Sequence, residues 1–172
     1  MSTWRRTVRT NPRAGVRVNE ILSTALVSEL LQPSAHLWLV SPWVSDIIVV
    51  DNRDEHLEVV LGQDYVRTLY LTEVLAILAS SGSTLHVAVR PDDHNTAFLS
   101  RLERTMSRPF DLHRGEDLHE KTICGGEWLI TGSMNFTWRG LEVNDEAVMY
   151  SVDGELAAQT RLDLEHRWLG PT

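Results

Sequence analysis

Residues 119–135 read HEKTICGGEWLITGSMN, and they hold four polar groups suited to a phosphate. His119 and Lys121 stand two apart, as do Ser133 and Asn135. Side chains two apart in a strand project to one face, so an imidazole, an ammonium, a hydroxyl and an amide can converge at one end of adjacent segments. That set supplies one nucleophile or base, one cation and two hydrogen-bond donors. Each residue alone has a structural explanation, since Ser and Asn after a strand are ordinary turn chemistry. The lysine adds weight. Of sixteen basic residues fifteen are arginine, and Lys121 is the single lysine. A chain that uses Arg for generic charge keeps Lys where a compact ammonium is needed and a planar fork does not fit.

The elements that must position these groups follow from hydrophobic spacing. Helical periodicity covers 18–31, 69–80 (stopped by Gly82), 94–107 and 154–168. Strand patterns cover 35–44 (AHLWLVSPWV, ended at Ser41-Pro42), 84–90, 110–114 and 142–152. Residues 44–68 read mainly as a long surface excursion. A hairpin is expected from DLHEKTIC and EWLITGS, with Gly125-Gly126 forming a tight turn at positive φ. Strands alternating with helices and followed by a late hairpin give an α/β fold, a mixed sheet flanked by helices.

Bulk properties bound the rest. A length of 172 residues with 42% apolar content is one ordinary domain. The net charge of −8 is uneven. Residues 1–17 carry Arg5, Arg6, Arg9, Arg13 and Arg17 and no acid. They read as an arginine-rich arm able to grip phosphates, or simply as a solvated terminus, ahead of a single domain over 18–172. One cysteine, Cys124, excludes an intrachain disulfide and suits a reducing compartment. No stretch reaches the roughly 20 apolar residues of a membrane span, and no amphipathic helix has a basic face. A cytoplasmic protein without membrane contact is the expectation. His36, His56, His86, His94, His113 and His166 show no metal-ligand spacing and read as structural or solvent-facing. Cys124 reads as a small buried apolar residue, Trp38 and Trp43 as core.

The pattern His119-x-Lys121 followed by Gly132-Ser133-x-Asn135 resembles the HKD signature of the phospholipase D superfamily, HxKxxxxDxxxxxxGSxN. NFTWRGLEVNDEAVMY is similar to the segment after that signature in the small bacterial nucleases of the superfamily, and Glu146 falls at their acidic position before the next strand. LVSPWV resembles the first core strand. Two departures occur together: Gly126 stands at the motif Asp, and the interval from Lys to Gly-Ser is one residue short. A one-residue deletion in the hairpin accounts for both.

The resemblance implies a phospholipase D-like fold and phosphodiester cleavage that uses no metal or other cofactor. His119 would attack phosphorus, Lys121 and Asn135 would hold the phosphoryl oxygens, and Ser133 and Glu146 would orient the histidines. Trp138, just past the signature, is the candidate to stack against substrate. The family mechanism uses two histidines and this chain has one motif, so a homodimer with a shared site is implied. The short chain and the arginines favour a nuclease, with DNA ahead of RNA as substrate. Two other readings suit the same residues: a non-catalytic nucleic-acid-binding subunit of a DNA restriction or anti-phage assembly with further protein subunits, and a phospholipid hydrolase.

Overall fold

In chain order the elements are β1 (Trp4–Thr10), α1 (Val18–Leu31), β2 (His36–Val40), β3 (Ile48–Asp51), β4 (Thr68–Tyr70), α2 (Leu71–Ser80), β5 (Thr84–Val89), α3 (Thr96–Thr105), β6 (Asp111–Arg114), β7 (Thr122–Cys124), β8 (Trp128–Gly132), α4 (Trp138–Glu142), β9 (Glu146–Val152) and α5 (Gly154–Trp168). The structure is a computed structural model that describes residues 3–10, 18–51, 68–144 and 146–170. Seven strands form one mixed sheet in the order β1-β9-β8-β7-β2-β5-β6, and β3 pairs with β4 separately.

Alternation along the strands divides the core between the two faces of the sheet. Leu37, Leu39, Ile123, Ile130 and Val148 point to the face covered by α1, α2 and α3. The helices meet it with apolar residues at helical spacing, such as Val18, Leu22, Ala25 and Leu26 of α1. Trp38, Val40, Cys124 and Leu129 point the other way, under Ala157 and Leu164 of α5. Helix α2 ends where expected, with Gly82 at φ +111°.

Strands β2, β5 and β6 run parallel, whereas β7 is antiparallel to β2 and to β8, and β9 to β8 and β1. The carboxyl ends of β2, β5, β6, β8 and β1 therefore share one rim with the amino ends of β7 and β9. In open sheets with parallel strands, sites form at this rim.

Four expectations are corrected. Trp4–Thr10 is not a free arm but edge strand β1, registered against β9 from Trp4↔Val152 to Thr10↔Glu146. It is held there by Val8, which is buried; Arg13 and Arg17 lie outside the described residues. The excursion at 44–68 contains β3 and β4, since Val49 and Val50 bury against the helices; its remainder, 52–67 with His56, lies outside the described residues. His119 and Lys121 precede β7 rather than lying in it. Their would-be neighbour β2 stops at Val40, paired with Thr122, because Ser41-Pro42 ends the strand and leaves Lys121 no partner on that side.

The hairpin exists, but Gly125 and Gly126 are not among the positive-φ glycines. Clearance is the reason for Gly125. A Cβ there would sit 2.5 Å from Trp128 Nε1 and 2.7 Å from Glu29 Oε2. The turn is clamped from outside. Arg161 Nη1 donates to the carbonyls of Gly125 and Gly126 at 2.5 and 2.7 Å. Buried Glu29 accepts from Trp128 Nε1 and from the Ser34 amide, each at 2.6 Å. Ser34 Oγ in turn accepts from the Gly126 amide at 2.5 Å. Order at a turn that lacks the motif Asp thus comes from α1, α5 and the α1–β2 connection.

Candidate active site

The two halves of the signature meet at the rim. Gly132 N donates to Lys121 O at 3.3 Å, which carries the β7–β8 ladder one residue past the hairpin strands. Gly132 is required by close approach: a Cβ would lie 2.1 Å from the Ala147 carbonyl oxygen on β9. That approach lets Ser133 N donate to Ala147 O at 3.0 Å, and Ala147 N to Ser133 Oγ at 3.0 Å. The Ser133 hydroxyl donates to Glu146 Oε2 in a short hydrogen bond. Glu146 Oε1 accepts from Asn144 Nδ2 at 3.3 Å.

Asn135 is placed by the parallel bridge of Val44 with Phe136 and by Ser45 N donating to Phe136 O at 2.9 Å. Its Oδ1 lies 3.4 Å from Ser41 Oγ at the end of β2. Gly140 permits this loop to close, since a Cβ there would meet Asn135 O at 2.3 Å. Thr137 caps α4 by accepting from Gly140 N at 3.2 Å. The helix therefore starts on Trp138, a residue 61% exposed, which leaves it free to meet a ligand.

His119 is exposed, and it meets a residue that the sequence reading passed over. Arg90 Nη2 lies 3.2 Å from His119 Nδ1 and 3.0 Å from Nε2. The N–H and the lone pair on the two ring nitrogens of an imidazole diverge in the ring plane, so one guanidinium nitrogen lies this close to both only from above the ring face. Arg90 is fixed there by its Nε, which donates to Leu118 O at 2.8 Å, and by the Trp43 ring, 5.1 Å from its guanidinium carbon. Trp43 is thus a half-buried platform at the rim, not core as expected. Its Nε1 donates to Asp92 Oδ2 at 3.1 Å, and this bond together with the His94 amide holds the Asp92 carboxyl below the usual range; the amide has the larger effect. One signal could have found Arg90: it is a cation at the carboxyl end of a parallel strand, directly before Pro91.

Lys121 Nζ donates to its neighbour's carbonyl, His119 O, at 2.6 Å. The structure therefore joins Ser133 to Glu146, Lys121 to Gly132 through the backbone, and His119 to Arg90. Among the described residues it makes no hydrogen bond from His119 to Ser133, Asn135 or Glu146.

The remaining sequence candidates fall elsewhere. Cys124 is buried, and burial pushes its thiol up to about 11. Trp38 is in the core, stacked on His86 at 4.2 Å and on His113 at 5.6 Å under α5. His86 Nε2 lies 3.2 Å from His36 Nδ1. Its Nδ1 lies 3.1 Å from Asp111 Oδ2, near enough for an ion pair but too poorly aligned for a hydrogen bond. Burial lowers the pKa of His86 against the opposing pull of Asp111, and lowers that of His113 likewise. His94 Nε2 pairs with Ser45 Oγ at 3.1 Å. Among the described residues no group of three or more His, Cys, Asp or Glu side chains could hold a metal ion.

Comparison with known proteins gives this arrangement a family. Residues 26–168 match the family model described as "Cardiolipin synthase, PLD-like domain". The chain belongs to this family of phospholipase D-like domains. Among solved structures it is similar to the phospholipase D family member Nuc from Salmonella typhimurium. The TM-score is 0.63 at 11% identity, covering 98% of this chain and 95% of that one. NucT from Helicobacter pylori gives a TM-score of 0.59 at 10% identity, covering 98% and 96%. TrmBL2, an archaeal chromatin protein that shows a novel mode of DNA binding, gives a TM-score of 0.54 at 11% identity, covering 96% of this chain and 52% of that one. No curated protein matches by sequence. These likenesses establish the fold. No helix among the described residues is long and apolar enough to cross a membrane.

Proposed function

We propose that this protein is a phosphodiesterase acting on nucleic acid, a nuclease that works through a phosphohistidine at a site shared by two copies of the chain. The observation that carries the reading is the rim itself. His119, Lys121, Ser133, Asn135 and Glu146 all lie at one end of the sheet, with Arg90 as an added cation over the histidine. TrmBL2, about half of which shares this fold, is a DNA-binding protein, which supports nucleic acid as the substrate.

In the proposed reaction a nitrogen of His119 attacks phosphorus, a P–N bond forms and the P–O bond to the leaving oxygen breaks. His119 of the second copy protonates that oxygen, then takes a proton from water, which attacks phosphorus and breaks the P–N bond. Lys121 leaves its backbone carbonyl to bind a phosphoryl oxygen, and Asn135 and Arg90 take the others as charge builds on them. Glu146 and Ser133 brace the loop that carries Asn135, and Trp138 offers a face to a base. Residues of this chain suffice for each step, so the reaction calls for no metal.

The test is cleavage of labelled single- and double-stranded DNA and RNA in EDTA by wild type and His119→Ala, with phospholipid vesicles offered in parallel. The reading expects nucleic-acid cleavage in EDTA that His119→Ala abolishes. Hydrolysis of lipid alone would favour the phospholipid reading, and binding without any cleavage the non-catalytic one.

A further inference from the structure

Strand β1 is the outermost strand of the sheet, and its carboxyl end stands at the rim, with Thr10 opposite Glu146. Val8 is buried on the α1 side, where Trp4 and Arg6 also point, so alternation sends Arg5, Thr7 and Arg9 to the other face. All three are exposed, and among the described residues no carboxylate forms an ion pair with either arginine. Arg5, Thr7 and Arg9 thus make a row of cation, hydroxyl and cation leading away from the site.

We infer that this row is a track for the backbone of a single nucleic-acid strand, holding phosphates beyond the one being cleaved. The inference rests on the nuclease reading and names its substrate more closely. Spacing supports it: residues two apart in a strand are ~6.6 Å apart, close to the step between successive phosphates of an extended polynucleotide. From β7 to β1 is three strand spacings, ~14 Å, so Arg9 meets a phosphate about two nucleotides from the scissile one.

At the far end of β1 lies a pocket of about 220 Å³ lined by Trp4, Arg6, Val8, Ile21 and Tyr150, among others. Trp4 is 46% exposed and stands edge-on to Tyr150 at 5.5 Å. Trp4 lies on the α1 face, so a base of the same strand meets it where the nucleic acid turns round the sheet edge at the end of the row. Charge restricts the ligand to one strand. With five arginines in residues 1–17 and a net charge of −8, the rest of the chain carries −13, and that body repels a second phosphate backbone. A second copy is no match for the edge, because edge-to-edge pairing would set arginine rows against each other.

The test is equilibrium binding of fluorescein-labelled, non-cleavable phosphorothioate oligonucleotides by the full chain, which needs no turnover. Affinity should climb with length to about five or six nucleotides and then level off. Arg5→Gln/Arg9→Gln should bind a twelve-nucleotide single strand more weakly and with a flatter salt response. Two lost phosphate contacts reduce the slope by about 1.4, so wild type should lose about sevenfold more affinity than the variant between 50 and 200 mM salt. Thr7→Glu, an exposed change, should weaken binding by placing an anion in the row. Arg104→Gln/Arg108→Gln, equal in charge but near the end of α3, should match wild type. Unchanged affinity and salt slope in both β1 variants would overturn the track. So would an equal loss in the α3 variant. Absence of cleavage by wild type in the separate nuclease assay overturns the nuclease reading instead, and leaves this binding result to be judged alone.

Discussion

Gly132→Ala tests whether the close approach of β8 and β9 builds the site. The new Cβ would lie 2.1 Å from Ala147 O, 3.0 Å from Val148 Cα and 3.1 Å from Ala147 C, all backbone atoms that no rotamer can move aside. The strands must part by about 1 Å to reach ordinary contact. Three hydrogen bonds then fail together: Ser133 N to Ala147 O, Ala147 N to Ser133 Oγ, and the Ser133 hydroxyl to Glu146. At about 1 kcal/mol each the loss is about 3 kcal/mol. For a chain of this size that lowers Tm by about 6–12 °C. Asn135 rides on the same loop, and a shift of about 1 Å costs up to ~100-fold in turnover of a phosphodiester. Calorimetry and initial rates on one preparation measure both. A variant with Tm within 2 °C of wild type, as an order-of-magnitude bound on any real strand separation, and with wild-type turnover, would refute the reasoning.

Lys121→Arg should lose at least about tenfold in turnover although the charge is kept, because a planar fork cannot place a compact ammonium where Nζ sits; near-wild-type rates would make the lone lysine incidental. Acid should destabilise the fold through His86 and His113, whose folded pKa values lie below the unfolded value near 6.5. The unfolded chain then binds more protons, so stability is fully present above about pH 6.5 and is lost as pH falls through it. Melting between pH 7.5 and 5 should show Tm falling with acid in wild type and less so in His86→Gln, and a Tm that rises with acid would contradict the assignment.

Much of this was legible because it is local. Apolar spacing marked α1, α2, α5 and the central strands, and the HxK and GSxN spacings marked both halves of the rim. The features that escaped depend on distant partners. The sequence of β1, WRRTVRT, hides its alternation because arginine occupies both faces, and only pairing with β9 reveals it as a strand. Gly125 needs no left-handed backbone; Glu29 and Trp128 crowd it, and Glu29 is almost a hundred residues away in the chain. Strand β7 is short because Pro42 ends its neighbour. Arg90 meets His119 only once β5 and the segment before β7 converge on one rim.

The proposed phosphohistidine chemistry requires a covalent bond to His119. The direct measurement is mass spectrometry of the protein quenched in alkali during turnover of a nucleic-acid substrate in EDTA, since alkali preserves a P–N bond. A phosphoryl-linked nucleotide fragment is expected on His119 in wild type and should be absent from His119→Ala. Active wild-type protein that carries no adduct, or carries it on another residue, would contradict that chemistry.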